Sequence, residues 1–129
     1  MKSFRQYISE MFVTWEELGR LERVLDSMFA QVGLDIAFTK HFWERINGSR
    51  MYGGTVSIMD IKDAFNKTFQ RYAKQISTKP VNWTAVINDV SKGLNMPFAL
   101  AWDKIGKRMV MMTAMKKHDF KTPDPKLKV

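Results

Sequence analysis

The chain has 129 residues, 45% of them apolar, and a formal net charge of +8. That is the size of one domain with enough apolar material for a core, and it is not the composition of a disordered chain. The absence of Cys excludes disulfide staples and thiolate metal sites, and with only His41 and His118 to supply imidazole a zinc site is not expected, nor is any cofactor.

In chain order, residues 2–12 carry Phe4, Tyr7, Ile8 and Met11 at the spacing of a short amphipathic helix. They lack the apolar stretch of a secretory signal. Thr14-Trp15-Glu16-Glu17 is a capping box, followed by Leu18, Leu21, Leu25, Met28 and Val32 at helical spacing and by Gly33 as a stop. This predicts a helix over Trp15–Val32. Leu34–Phe38 suits a short strand, and Lys40–Asn47 a brief helix capped by Thr39. Ser49–Gly54 reads as a loop. Ser57, with Asp60 three residues on, opens a long helix whose Ile58, Ile61, Phe65, Phe69, Tyr72 and Ile76 share one face. After Pro80 the period changes to two. Val81–Asp89, Pro97–Trp102 and Lys107–Met115 read as three strands of a meander, joined through Ser91–Met96 and a tight turn at Asp103–Gly106. Lys121–Val129, with two prolines, reads as a basic extended tail. The expected class is α+β, with N-terminal helices followed by a small antiparallel sheet. No apolar run reaches the roughly 20 residues that span a bilayer, so no membrane partner is expected.

The charge is polarised. Residues 1–35 hold four basic and six acidic side chains, whereas Lys104–Val129 holds eight basic ones against Asp119 and Asp124. A basic face of this kind suits a polyanion; a solubilising surface is the competing reading.

Several side chains could act on a phosphodiester. His41 and Arg45 are four apart and share a helix face. Arg50 follows in a Gly-flanked loop. Thr113 interrupts an apolar strand, and Lys116, Lys117 and His118 come directly after it. Metal-free RNA cleavage needs a base for the 2′-OH, cationic and neutral donors for the phosphorane, and an acid for the leaving oxygen. His can fill either proton-transfer role, and Arg grips phosphate with two parallel bonds. Trp43 lies within the His41–Arg50 segment and Tyr52 just beyond it, and both could stack bases. Each residue also has a structural reading: Arg45 in an ion pair, Thr113 as a strand former, the Met run 109–115 as core, and Lys116–Lys117 as a solvated strand end.

The strings IAFTKHFWERINGSR, VSIMDIKDAF, VNWTAVIND and MVMMTAMKKHDF resemble a phage-encoded nuclease family, that of the barnase–EndoU–colicin–RelE-like fold, over roughly residues 34–121. The most specific pieces are His-Phe-x-x-Arg at His41 and Arg45 and Thr-x-x-Lys at Thr113 and Lys116. The resemblance implies a small antiparallel sheet with helices on one side and metal-independent RNA cleavage on the open sheet face. By position it makes His41 the acid–base residue, Arg45 and Arg50 phosphate ligands, Thr113 a donor, and Lys116 or Lys117 a charge neutraliser. His118 is a candidate second acid that matches no family motif. Lys117, His118 and Lys121 join Trp43 and Tyr52 as candidate nucleic-acid contacts.

The first ten residues, MKSFRQYISE, look like the capsid-targeting leaders of internal head proteins of tailed phages, with a cleavage site at Ile8-Ser9-Glu10. An ordinary N-terminal helix is the alternative. On the leader reading the protein travels inside the virion and enters the host cytoplasm. The expected partner is RNA, tRNA among the candidates, or phage DNA, with a host or capsid protein as a further partner. The leading functional expectation is a metal-independent ribonuclease. The competing ones are a non-enzymatic virion protein that binds DNA through its basic C-terminal face, and an inhibitor of a host enzyme.

Overall fold

A computed structural model of the chain describes residues 13–48, 56–104 and 106–129. The proposed leader with Ile8 and Glu10, and the loop positions Arg50 and Tyr52, lie outside the described residues.

Helix α1 (Trp15–Phe29) starts at the expected capping box: Thr14 Oγ1 accepts the Glu17 amide at 3.1 Å, and Glu17 Oε1 accepts the Thr14 amide. Leu18, Leu21, Leu25 and Phe29 are its buried stripe. The helical spacing continues to Val32, but Ala30–Val32 is a 3-10 turn, which Gly33 ends at φ +74°. Strand β1 (Leu34–Phe38) leads through Thr39 into α2 (Lys40–Gly48), whose Phe42 and Ile46 are buried. Helix α3 (Ile58–Ser77) opens on the reciprocal Ser57–Asp60 box, and it buries Ile61, Ala64, Phe65 and Ile76. The strands β2 (Thr84–Asp89), β3 (Leu94–Trp102), β4 (Lys107–Met111), β5 (Met115–Lys116) and β6 (Lys126–Lys128) follow.

The sheet runs β1-β4-β3-β2-β6, with β5 beside β3. The α+β class is as expected, and the β2-β3-β4 meander is antiparallel. The sheet as a whole is mixed rather than antiparallel, because β1 pairs parallel to β4 and β6 parallel to β2. Parallel neighbours need a crossover. Helices α2 and α3 and the first two meander strands supply one for β1; the chain from 90 to 125 supplies the other. Alternate residues Ile36, Phe38, Phe98, Leu100, Met109 and Met111 face the helices and join Phe29, Phe42 and Phe65 in the core. Phe65 lies at the centre, edge-on to Phe29 at 6.1 Å and to Phe38 at 5.8 Å.

Edge strand β1 is covered by α1 in an unusual way. The outward amides of Ile36 and Phe38 donate to Asp26 Oδ1 at 2.6 Å and Glu22 Oε2 at 2.9 Å, one helical turn apart. This blocks pairing with another strand. Burial raises both carboxyls above their ordinary values, 3.8 for Asp26 and 4.5 for Glu22, although each accepts a backbone amide. A raised acid binds its proton more tightly in the folded chain, so stability falls as pH rises through that window. Glu22→Gln and Asp26→Asn retain an acceptor oxygen and remove the desolvated charge. Both variants are expected to melt at or above the parent at pH 7, with the gain shrinking toward about pH 4; a lower melting point at pH 7 would count against this account.

The third meander strand is where sequence and structure part. It is continuous to Met115 by pattern, yet β4 stops at Met111. Phe98 pairs with Met111 and Asn95 with Met115, so one extra residue lies within 112–114. Pro97 explains this bulge. Met112 N donates to Pro97 O at 3.1 Å, so Pro97 also turns its nitrogen, which has no hydrogen, toward this strand. The bulge reverses the alternation. Met109 and Met111 face the core, and beyond the bulge Ala114 is the buried residue. Strand β3 in turn starts at Leu94, inside what reads as a connection, while Val81–Trp83 forms a turn with Asn82 at φ +75°.

The basic tail is extended, and its end is part of the sheet. Lys126–Lys128 pair with Val86–Asn88, Val129 N donates to Asn88 O at 2.9 Å, and Leu127 and Val129 are buried.

Candidate nucleic-acid interface

A concavity of about 830 Å³ opens between the last turn of α2 and the segment Met115–Lys121. Arg45 lines it from the helix; Lys116, Lys117, His118, Phe120 and Lys121 line it from the segment, with Met115 and Asp119. Sequence separations of about 70 residues are thus closed by the β1–β4 pairing, which brings the start of α2 beside the end of β4: Thr39 donates to Met111 O through both its amide and its hydroxyl.

The segment is aimed by three features. First, the bulge at 112–114 turns Lys116 to the helix side, where Nζ stands 3.5 Å from Asp60 Oδ2 at the start of α3. Second, the backbone of Lys117 is tied to the β2–β3 turn, with Lys117 N donating to Gly93 O at 2.7 Å. Third, the His118 imidazole lies against Gly93. A Cβ added there would stand 2.9–3.0 Å from three ring atoms and would displace the ring, and φ is +63°, a backbone conformation that favours glycine.

The lining is cationic. Arg45, Lys117 and Lys121 are exposed, and none has an ion pair among the described residues. Lys116 shares Asp60 with Lys92, which also reaches Asp63 at 3.1 Å. Burial opposes the Asp60 charge, but the Ser57 amide, Lys92 and Lys116 outweigh it and hold the carboxyl below the usual range. Asp60 therefore stays ionised beside Lys116, and its contribution to stability is lost only as pH falls through the lowered value. Three unpaired cations around a cavity favour phosphate, with Arg45 able to grip it bidentately. The imidazole of His118 can carry a proton to or from a bound group. Phe120 is half-buried, with Lys126 Nζ 6.0 Å from its ring centroid, and offers an aromatic surface to a base. Among the described residues no group of three or more His, Asp or Glu side chains stands where it could hold a metal ion.

Five of the residues singled out from sequence therefore converge: Arg45, Lys116, Lys117, His118 and Lys121. His41 and Thr113 lie outside the lining. His41 is exposed one turn before Arg45. Thr113 sits in the bulge with its hydroxyl buried and without a hydrogen-bond partner among the described residues. Trp43 also lies outside the lining. Its indole N–H donates to Val13 O at 2.8 Å and its ring meets Trp15 edge-on at 5.7 Å, so it packs the N-terminal end of α1 onto α2. Phe120, Gly93 and Asn95 were not singled out. An aromatic inside the basic run Lys-Lys-His-Asp-Phe-Lys is a signal that would have found Phe120; the roles of Gly93 and Asn95 depend on contacts across the sheet.

Fold and site define an α+β protein with a basic concavity at one end of a mixed sheet. No protein-family model, no curated protein and no solved structure matches the chain. Among the described residues no helix is long and apolar enough to cross a membrane.

Proposed function

We propose that the protein binds nucleic acid in the concavity between α2 and residues 115–121 and cleaves RNA there without a metal ion. The observation that carries this reading is the convergence of Arg45, Lys116, Lys117, His118 and Lys121 on one cavity. Arg45, Lys117 and Lys121 hold the phosphate and its neighbours; Lys116, already beside Asp60, sets the floor of the site. His118 takes over the proton-transfer role that the resemblance gives to His41, because it is the imidazole that lines the cavity. Attack by the 2′-oxygen on the adjacent phosphorus would break the bond to the 5′-oxygen, leaving a 2′,3′-cyclic phosphate and a 5′-hydroxyl. One imidazole can serve both proton transfers in turn, by taking the 2′-OH proton and returning it to the leaving oxygen.

The test is incubation of total cellular RNA with the purified chain in EDTA. Discrete products ending in cyclic phosphate support the proposal; intact RNA with folded protein overturns the cleavage step. A second reading, non-enzymatic binding of DNA, gains from the position of His41 and Thr113 outside the lining, since binding needs neither. It predicts tight, strongly salt-dependent DNA binding with no cleavage of any polymer.

A further inference from the structure

We propose that Asn95 is a positioning residue for the concavity, held in its working orientation by Asn88. The inference rests on the nucleic-acid reading above for its consequence, but not for its geometry.

Asn95 is fully buried in β3, on the sheet face opposite the helices. Its Nδ2 lies 2.8 Å from Lys117 O, 3.2 Å from Gly93 O and 3.5 Å from Met115 O. Its Oδ1 accepts from Asn88 Nδ2, directly opposite on β2, at 2.7 Å. Carbonyls only accept, so Asn95 must turn its NH₂ toward them and its oxygen toward Asn88. Asn88 must then present its own NH₂. The two amides thus have one consistent arrangement.

That arrangement adds to the backbone bond, Lys117 N to Gly93 O, that holds the segment past β5. The bulge opposite Pro97 interrupts pairing over 112–114, and β5 recovers only two residues. Past Lys116 the chain leaves the sheet, and there it carries Lys117, His118, Phe120 and Lys121. The Asn95 amide binds the carbonyls on both sides of that exit and the carbonyl of Gly93, the residue against which the His118 ring lies. A buried amide pair costs desolvation that an apolar pair at the same cross-strand position would not. What it adds is a fixed place for the cation-bearing segment.

The experiment compares the parent with Asn88→Leu/Asn95→Leu, which removes both polar partners together and so leaves no orphan between them. His118 lies over Gly93, so the Gly93 Hα protons of the parent should be displaced upfield by the ring current. The double variant is expected to unfold cooperatively, to lose that displacement, and to bind a short single-stranded oligonucleotide about ten-fold or more weakly, the loss of one charge-assisted contact. A variant that is folded, keeps the Gly93 displacement and binds like the parent would overturn the inference. One further variant decides the matter if the double variant does not fold. In Asn88→Asp, at a pH where the carboxylate is ionised, only acceptors face Asn95 Oδ1, so the bond that orients its amide is lost and both readouts should fall. An Asn88→Asp protein that is folded and matches the parent in both readouts would also overturn it. If Arg45→Ala and Lys117→Ala leave oligonucleotide binding unchanged, the functional reading fails, while the Gly93 resonances still judge the role of Asn95.

Discussion

His118→Ala is expected to lower the rate of RNA cleavage by about 10²- to 10⁴-fold, the range for loss of a positioned proton carrier, while nucleic-acid affinity changes little. The expectation follows from place. The ring packs on Gly93, where no side chain separates it from the backbone, and it lines the same cavity as Arg45 and Lys117. Its contribution is proton transfer, whereas the attraction for phosphate comes from the cations. His41→Ala is the control. That residue is exposed one turn before Arg45 and outside the lining, so its loss should leave cleavage close to parental. Cleavage in EDTA, with the rate read from cyclic-phosphate ends, distinguishes them. If His41→Ala abolishes cleavage and His118→Ala does not, the resemblance-based assignment stands and the one argued from the cavity falls. If all three proteins bind and none cleaves, the DNA-binding reading takes over.

Deletion of Lys126–Val129 is expected to unfold the protein or leave it barely folded. Leu127 and Val129 are 3% and 8% exposed. Burial of two such side chains contributes about 3–6 kcal/mol, against the roughly 5–15 kcal/mol by which domains are stable. The deletion also removes the parallel partner of β2, the bond from Val129 N to Asn88 O, and the carbonyl of Lys128 that accepts from Tyr72. A thermal or urea melt decides it; a truncated chain that melts like the parent would show that β6 adds nothing. Removing the tail is therefore no test of DNA binding, because it destroys the fold that would bind. Lys126→Gln and Lys128→Gln remove the charge and leave Leu127 and Val129 in place, so they should keep the melting point and report on binding alone.

Much of the helical layer is legible residue by residue. Thr14 with Glu17 and Ser57 with Asp60 are reciprocal caps between near neighbours in the chain, so pattern and structure coincide there. The leucine and phenylalanine stripes of α1 and α3 follow from the helical period alone. The strands are legible with shifted ends. Their alternation is visible, but the start of β3 at Leu94 and the break after Met111 depend on what lies alongside. The break traces to Pro97, a residue on another strand, and no window along 107–115 contains that information.

The sequence by itself determines the α+β class, the two capped helices, the meander, and the concentration of positive charge in the last part of the chain. These rest on local periodicity, on caps that close within three residues, and on composition. Only the tertiary structure decides that β1 pairs parallel to β4 and β6 parallel to β2, that Lys116 turns toward Asp60, that Trp43 packs against Val13 and Trp15, and that Arg45 lines one cavity with His118 and Lys121 while His41 does not. Each of these depends on which strands lie side by side and on the one-residue shift at the bulge. Register of that kind is set by pairing between distant segments, and a shift of one residue sends a side chain to the other face of the sheet.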